Sequence, residues 1–143
     1  MAKTAGANGR IVLGLDHKKD PAVLEAAYND SAGVTAAFNL NLLARINREL
    51  DSDFRLERFS HHAPYDERHG RIEMRLVSVT AQAVRVGDLT IPFAPGESIL
   101  TEVCHKYSPG EVGRLAAAAG LAVEAAWTDE ACRFGVYLLA PAS

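Results

Sequence analysis

The order of apolar and polar residues predicts a short strand and a short helix at the start of the chain. An unbroken apolar run from Arg10 to Leu15 is closed by Asp16, which is typical of a buried parallel strand with a polar residue at its carboxyl end. Open α/β sheets bind ligands at that end of their strands. The dipeptide Asp20-Pro21 then predicts a helix that ends near Tyr28, because Asp is a preferred N-cap and Pro suits the first helical position.

A longer helix over about Ala32–Leu50 is predicted next, with Ser31 as its cap. Apolar residues recur at every fourth position and form one stripe, which is predicted to face the core. The stripe consists of Val34, Phe38, Leu42, Ile46 and Leu50, with Leu43 alongside. Three asparagines in one helix are unusual, since their side chains compete for backbone hydrogen bonds, and we expect them to face solvent on or beside the opposite face. They are Asn39, Asn41 and Asn47.

From Phe54 onward the apolar residues alternate with polar ones. The segment Arg71–Val79 alternates apolar and charged residues and predicts a half-buried strand. Gly87-Asp88 lies between two apolar runs and predicts a two-residue hairpin. A further strand is predicted to run through Glu102, so the middle of the chain is expected to form an antiparallel sheet of about four strands.

The last third of the chain begins with a strong helix start. Ser108-Pro109-Gly110-Glu111 is a capping box with Pro at the first helical position, and Gly120 is a suitable residue to follow the helix end. Leu121–Trp127 and Arg133–Leu139 are predicted to be strands. The resulting order of elements predicts an α+β fold, or a piece of an α/β fold with an inserted sheet.

Length, composition and charge fit one globular domain. The chain has 143 residues, of which 48% are hydrophobic and 23% charged, which is enough to bury a core. The net charge of −3 argues against a nucleic-acid surface. The run Ile11–Leu15 is too short for a membrane span or a signal peptide. The chain is therefore predicted to be cytoplasmic, with residues 1–9 as a disordered lead-in.

The cysteines and histidines do not predict a metal site. Cys104 and Cys132 are far apart and have no ligand-like spacing. A disulfide between them stays open, with two reduced thiols as the simpler interpretation. The three histidines of the middle segment fall in a polar loop without fixed spacing. They are His61, His62 and His69.

Candidate chemistry is concentrated between Leu100 and Pro109. If this segment begins as a strand, Glu102, Cys104 and Lys106 share one face. A carboxylate beside a small polarisable group suits a nitrogen heterocycle or an amine, because the carboxylate accepts a hydrogen bond from N–H. A half-solvated strand is the alternative that the spacing leaves open. Lys106 is expected to be a solvated strand end, and neighbours on a strand point apart, so Cys104 and His105 are not expected to form a nucleophilic pair.

Three stretches of the chain carry a resemblance to a known family. They are Leu15-Asp16-His17-Lys18-Lys19-Asp20-Pro21 with Ala26-Ala27-Tyr28-Asn29-Asp30, then Gly33-Val34-Thr35-Ala36-Ala37-Phe38-Asn39-Leu40-Asn41-Leu42-Leu43, and finally Thr101-Glu102-Val103-Cys104-His105-Lys106-Tyr107-Ser108. Together, and in this order, they resemble the S-adenosylmethionine-dependent histidine Nα-methyltransferases of ergothioneine biosynthesis and their close relatives. The resemblance covers the chain from about residue 10.

The resemblance implies the carboxyl-terminal half of such an enzyme. In the family, the glycine-rich turn and the ribose-binding acid of the cofactor site precede the strand that is Arg10–Leu15 here. No G-x-G turn followed by an acidic residue one unit later occurs in this sequence. S-adenosylmethionine is thus the implied cofactor, its site is expected to be incomplete, and the residues that bind it are unknown.

The implied fold is α+β, with an antiparallel substrate-recognition sheet inserted among the last strands and helices of a Rossmann-like methyltransferase domain. Residues 10–30 and 107–143 are then the remnant of the methyltransferase sheet, and residues 31–106 are the recognition lobe.

The resemblance also implies four substrate-binding residues and no catalytic nucleophile. Tyr28 matches the tyrosine that holds the substrate α-carboxylate, and Met74 matches a methionine near the imidazole ring. Glu102 and Cys104 match the glutamate and the serine that hold the imidazole. Cys104 departs from the family here, because a thiol is a weaker hydrogen-bonding group than a hydroxyl. Methyl transfer from a sulfonium depends mostly on positioning, so these residues are expected to act as clamps.

Two functions follow as expectations. The first is a partial methyltransferase that supplies recognition of an amino acid or amine for N-methylation and is inactive without its amino-terminal half. The alternative is a non-catalytic small-molecule binding or assembly module derived from the family. An unpaired sheet edge also makes a homodimer a candidate.

Overall fold

The structure is a computed structural model that describes residue 6 and residues 8–142. Strands and helices are numbered along the chain. They are β1 (Ile11–Asp16), α1 (Pro21–Tyr28), α2 (Val34–Glu49), β2 (Phe59–His62), β3 (Tyr65–Asp66), β4 (Arg71–Ser78), β5 (Gln82–Val86), β6 (Leu89–Phe93), β7 (Ser98–His105), α3 (Pro109–Ala118), β8 (Leu121–Thr128) and β9 (Phe134–Pro141), with a 3₁₀ turn at Leu56–Arg58. The mixture of helices with antiparallel strands confirms the predicted α+β class. The predicted lead-in falls largely outside the described residues.

The chain forms two compact units. The unit formed by the middle of the sequence, Asp20–Cys104, is called the inner unit, and the unit formed by the two ends of the sequence is called the outer unit. The outer unit comprises the described residues up to Lys19 together with those from His105 onward. The predicted lobe was 31–106, so the inner unit also takes in helix α1. The function of each unit stays a prediction.

The outer unit contains a three-stranded sheet of order β1-β9-β8. Strand β1 runs antiparallel to β9, with Ile11 opposite Leu139 and Asp16 opposite Phe134. The prediction of a buried parallel strand was therefore wrong, and Val12 on this strand is 69% exposed. An unbroken apolar run does not encode the direction of its neighbour, which here belongs to the carboxyl-terminal hairpin.

Helix α3 packs on this sheet and begins as predicted. The Ser108 side chain accepts from the Glu111 backbone, and a Glu111 carboxylate oxygen accepts from the Ser108 N–H at 2.7 Å. A hydrogen bond from Lys18 and the one from Ser108 lower the pKa of Glu111 to about 2. The apolar core beneath the helix consists of Val112, Ala116, Leu121, Tyr137 and Leu139.

Lys106 corrects a further expectation. Its side chain is fully buried, and its Nζ lies 2.9 Å from Oδ2 of Asp16, so it is not a solvated strand end. Strand β7 ends at His105, and the ammonium group is tolerated because a carboxylate pairs with it. Burial raises the pKa of Asp16, but hydrogen bonds from Lys19 and Lys106 outweigh that effect and hold it below its ordinary value.

Strand β4 is the centre of the inner unit. Strands β2 and β3 pair antiparallel with it, and β7 also pairs with it. The predicted apolar face of β4 is confirmed, with Ile72, Met74 and Leu76 at most 3% exposed. Strands β5 and β6 form the predicted hairpin as a separate two-stranded sheet. Gly87 adopts φ 56 in its turn, a conformation that glycine accommodates without strain.

The first turns of helix α2 have a different face toward the core from the one predicted. Leu43 is 1% exposed and Asn39 is 3% exposed, whereas Val34 and Phe38 are 68% and 66% exposed. Leu43 and Ile46 of the predicted stripe do face inward, together with Asn39 and Leu40. The prediction was wrong for Val34 and Phe38, because the inward position at the start of the helix is occupied by a polar residue, Asn39. None of the described helices is both long and apolar enough to cross a membrane.

Candidate binding site

An open cavity of about 330 Å³ lies in the inner unit. Its volume is within the range of small-molecule sites. Three of the four predicted binding residues line it, namely Tyr28, Met74 and Glu102, together with Val34, Thr35 and Phe38. The fourth, Cys104, packs against the apolar cluster that contains Met74. The structure thus brings the four residues together, while their roles stay a prediction.

Helix α1 carries Tyr28 and is fixed at both ends. Asp20 caps its start by accepting from the Ala22 N–H at 2.8 Å. After its last residue, the Asn29 side chain both donates to the carbonyl of Ala63, at 2.9 Å, and accepts from its N–H, at 3.1 Å. The position of Tyr28 is therefore tied to the chain between β2 and β3.

The floor and the rim of the cavity come from the sheet. Met74 is 3% exposed and belongs to a cluster with Leu24, Ala63 and Ile72. Glu102 is exposed and Cys104 is half-buried on β7, and the alternation of a strand gives these two side chains the same face. A carboxylate at the rim of an apolar floor can accept a hydrogen bond from a ligand whose body is buried.

The start of α2 forms the apolar wall. The N-cap position of this helix is Gly33 and not the predicted Ser31. The Asp30 carboxylate accepts from the N–H groups of Val34 and Thr35, both at 2.9 Å, and so satisfies the first free donors of the helix. The hydrogen bonds from Thr35 and Val34 lower the pKa of Asp30 to about 2. The first turn presents Val34 and Phe38 to the cavity.

A second cavity of about 220 Å³ shares Phe38 and Glu102 with the first. Its other lining residues are Asn39, Asn41, Leu42, Arg45 and Thr101. The Arg45 guanidinium is engaged by Glu49 at 2.9 Å. Glu102 thus lines two adjoining depressions and can be reached from both.

Sequence reasoning missed a polar network behind the cavity. Asn39 donates from Nδ2 to Nδ1 of His61 at 3.0 Å and to the carbonyl of Arg75 at 3.2 Å. Thr101 donates to Oδ1 of Asn39 at 2.6 Å, and Nε2 of His61 lies 2.8 Å from the carbonyl of Tyr28. The unusual number of asparagines in one helix is the available signal, but the general preference of asparagine for the surface predicts solvent exposure instead.

Neither a disulfide nor a cluster of metal-ligating side chains is present among the described residues. Cys104 and Cys132, both in the described part of the chain, form no disulfide. Within residues 8–142, no three side chains of the types His, Cys, Asp and Glu are grouped in a way that could hold a metal ion.

Comparison with known proteins decides the family. A family model described as histidine-specific methyltransferase, SAM-dependent, matches residues 1–141. The chain belongs to this family. The histidine N-alpha-methyltransferase of Mycobacterium tuberculosis (strain CDC 1551 / Oshkosh) is 51% identical over 132 residues, which cover 91% of this chain and 41% of that relative.

Two more relatives extend the comparison. The histidine N-alpha-methyltransferase of Mycolicibacterium smegmatis is 48% identical over 140 residues, covering 96% of this chain and 44% of the relative. An L-tryptophan methyltransferase of Psilocybe serbica is 25% identical over 126 residues, covering 87% of this chain and 35% of the relative. The chain therefore spans less than half the length of these relatives.

The described residues do not fit a glycine-rich cofactor turn. Such a turn joins a strand to a helix, and its glycines let the cofactor approach the backbone closely. The two connections of this kind, His17–Asp20 after β1 and Lys106–Ser108 before α3, contain no glycine. The family uses S-adenosylmethionine, but neither of these two connections is a glycine-rich turn that could bind it.

Proposed function

We propose that the chain supplies the substrate-recognition part of a histidine Nα-methyltransferase. The observation that carries the proposal is that Tyr28, Met74 and Glu102 line one cavity, with Cys104 packed against its floor. Membership of the histidine-specific family supports histidine or a related amino acid as the substrate. The sequence identities of 51% and 48% to two histidine N-alpha-methyltransferases support the same substrate.

In this proposal, each side chain acts as a clamp. The Glu102 carboxylate accepts a hydrogen bond from an imidazole N–H, and the Cys104 thiol orients the ring from the same strand face. The Tyr28 hydroxyl donates to the substrate carboxylate, and Met74 packs against the ring through its thioether. A substrate held at both ends presents its amino group in one orientation, which is the main requirement for methyl transfer.

The methyl donor is assigned to residues outside this chain. Relatives are more than twice as long, since the chain covers 41% and 44% of two of them. S-adenosylmethionine would be bound by the amino-terminal half of such an enzyme or across a homodimer. The outer unit is then the end of a Rossmann-like sheet, and the inner unit is the recognition lobe inserted in it.

Binding measurements on the chain test this proposal. Amide spectra are followed during titration with L-histidine and with histamine, which lacks the carboxylate. Glu102→Gln should weaken L-histidine binding about tenfold or more, because it removes a charged acceptor. Tyr28→Phe should weaken L-histidine binding about fivefold, because it removes the hydroxyl donor to the substrate carboxylate. The affinity for histamine, which has no carboxylate, should not change. Glu57→Gln, at an exposed glutamate of the same unit, is the matched control.

The outcomes separate the candidate functions. Absence of L-histidine binding, or equal effects of Glu102→Gln and Glu57→Gln, contradicts the recognition role. If L-histidine binds, the chain is mixed with S-adenosylmethionine and the amino-terminal part of the Mycolicibacterium smegmatis relative, and mass spectrometry is used to detect a methylated product. Binding without product favours the alternative, a non-catalytic binding module.

A further inference from the structure

Asn39 lies on the core-facing side of helix α2, where an amphipathic helix normally has an apolar residue. It is 3% exposed, and a buried amide is costly unless its polar atoms have partners. Both N–H groups of its side chain are used, one by His61 and one by the Arg75 carbonyl, and its oxygen accepts from Thr101. So complete a set of partners indicates that this side chain is held in one orientation.

The partners also define the state of His61. A backbone carbonyl can only accept, so the Arg75 carbonyl fixes which end of the Asn39 amide carries the nitrogen. That nitrogen donates to Nδ1 of His61, which must accept, while Nε2 faces the Tyr28 carbonyl and must donate. The network therefore selects the neutral Nε2–H tautomer of the ring.

The hydrogen bonds of Asn39 and His61 reach three elements that carry predicted binding residues, α1, β4 and β7. On each element the bonded group belongs to a predicted binding residue or to its neighbour in sequence. The network ends on the carbonyl of Tyr28 itself. Thr101, which precedes Glu102, donates to Asn39 at 2.6 Å and lies 3.0 Å from the Met74 carbonyl. Three elements that carry the cavity residues are thus joined through one amide and one imidazole.

We propose that Asn39 and His61 form a positioning pair that sets the spacing of Tyr28, Met74 and Glu102 in the ligand cavity. The proposal rests on the proposed function of that cavity. Neither residue of the pair is assigned a contact with the reacting atoms, so the pair acts on binding through the backbone it holds.

Helix α2 offers a matched control for a purely structural role. Asn47 also makes side-chain bonds to backbone, donating to the Phe54 carbonyl and accepting from its N–H, both at 2.8 Å. These bonds fix the loop after the helix, and Asn47 lines neither cavity. Asn39→Ala and Asn47→Ala remove similar bonds from one helix, but only the first faces the binding residues.

The test combines ligand affinity with ligand-free measurements. Asn39→Ala should weaken L-histidine binding at least about fivefold, and Asn47→Ala less than about twofold, while urea denaturation gives comparable losses of stability for both. Without ligand, ¹⁵N shifts should show the Nε2–H tautomer of His61 in the unmodified chain. Amide exchange at Asn29 and Glu102 should accelerate in Asn39→Ala and not in Asn47→Ala.

A conservative replacement provides the second arm. His61→Gln retains one donor and one acceptor and should keep more affinity than His61→Leu. Equal affinities for Asn39→Ala and Asn47→Ala, an Nδ1–H tautomer, or no difference between the two His61 variants would overturn the proposal. If the unmodified chain does not bind L-histidine, the proposed function fails, and the tautomer and exchange measurements still decide whether the pair positions these elements.

Discussion

The two halves of helix α2 differ in which side chains they bury. In the first half, Val34 and Phe38 are exposed while Asn39 is buried. In the second half, Leu43 lies in the core with Ile46 against it, and Arg45 and Glu49 form an ion pair at the surface. One continuous helix therefore has an inverted polarity at its start and an ordinary polarity at its end.

The difference separates a part of the helix built around a cavity from a part built for stability. Single exposed apolar residues are common on protein surfaces, but neighbouring ones beside a cavity mark a surface for a ligand or partner. Phe38 lines both cavities and Val34 lines the larger one. Burial of the Asn39 amide has a desolvation cost that an apolar residue would avoid. A role in positioning the residues that line the cavity accounts for this cost.

The largest effect on stability is expected in the second half of the helix. Leu43 is 1% exposed in the main apolar cluster, so Leu43→Ala should lower the free energy of unfolding by about 2–5 kcal/mol. Val34→Ala, at a residue 68% exposed, should change it by less than about 0.5 kcal/mol. Urea denaturation of both variants measures the contrast, and equal losses would show that the halves do not differ in this way.

A pH-dependent effect is expected at the first turn of the helix. The hydrogen bonds from Thr35 and Val34 lower the pKa of Asp30 from 3.8 to about 2 in the folded chain. A lowered pKa means that the carboxylate stabilises the fold above about pH 4, and that this contribution is lost as the pH falls from 3.8 toward 2. Asp30→Asn should flatten this part of the stability profile, measured by thermal unfolding at a series of pH values.

The control for this profile is Glu57→Gln, at an exposed carboxylate of the same unit. It should leave the slope below pH 4 as it is in the unmodified chain. An unchanged slope in Asp30→Asn would mean that the Asp30 carboxylate does not hold the first turn in solution.

Elements encoded by adjacent residues were predictable from the sequence. Asp20-Pro21 began α1, the Ser108 capping box began α3, and Gly87 formed the hairpin turn, each where expected. The chemistry of such starts and turns is complete within four residues, so no knowledge of the distant chain is required.

Features that depend on a distant partner were not predictable from the pattern. The direction of β1 depends on β9, the burial of Lys106 depends on Asp16, and the inward face of α2 depends on its contacts with the sheet. No pattern in the sequence connects Tyr28 with Glu102, so periodicity could not predict that they line the same cavity. That expectation came from the family resemblance. The Asn39–His61 bond joins residues that are 22 positions apart, and a rule that places asparagine at the surface hides it.

The smallest effect on stability, with a separate effect on binding, is expected at Phe38. This residue is 66% exposed, so Phe38→Ser should change the free energy of unfolding by less than about 0.5 kcal/mol. It lines both cavities, and loss of an aromatic contact of about 0.5–1.5 kcal/mol corresponds to roughly a twofold to tenfold weaker L-histidine complex. Leu50→Ser is the matched control, since Leu50 is 55% exposed at the other end of α2 and lines neither cavity. If both serine variants bind L-histidine as the unmodified chain does, the exposed face of the first half serves something other than this ligand, and the contrast between the two halves reduces to their stability.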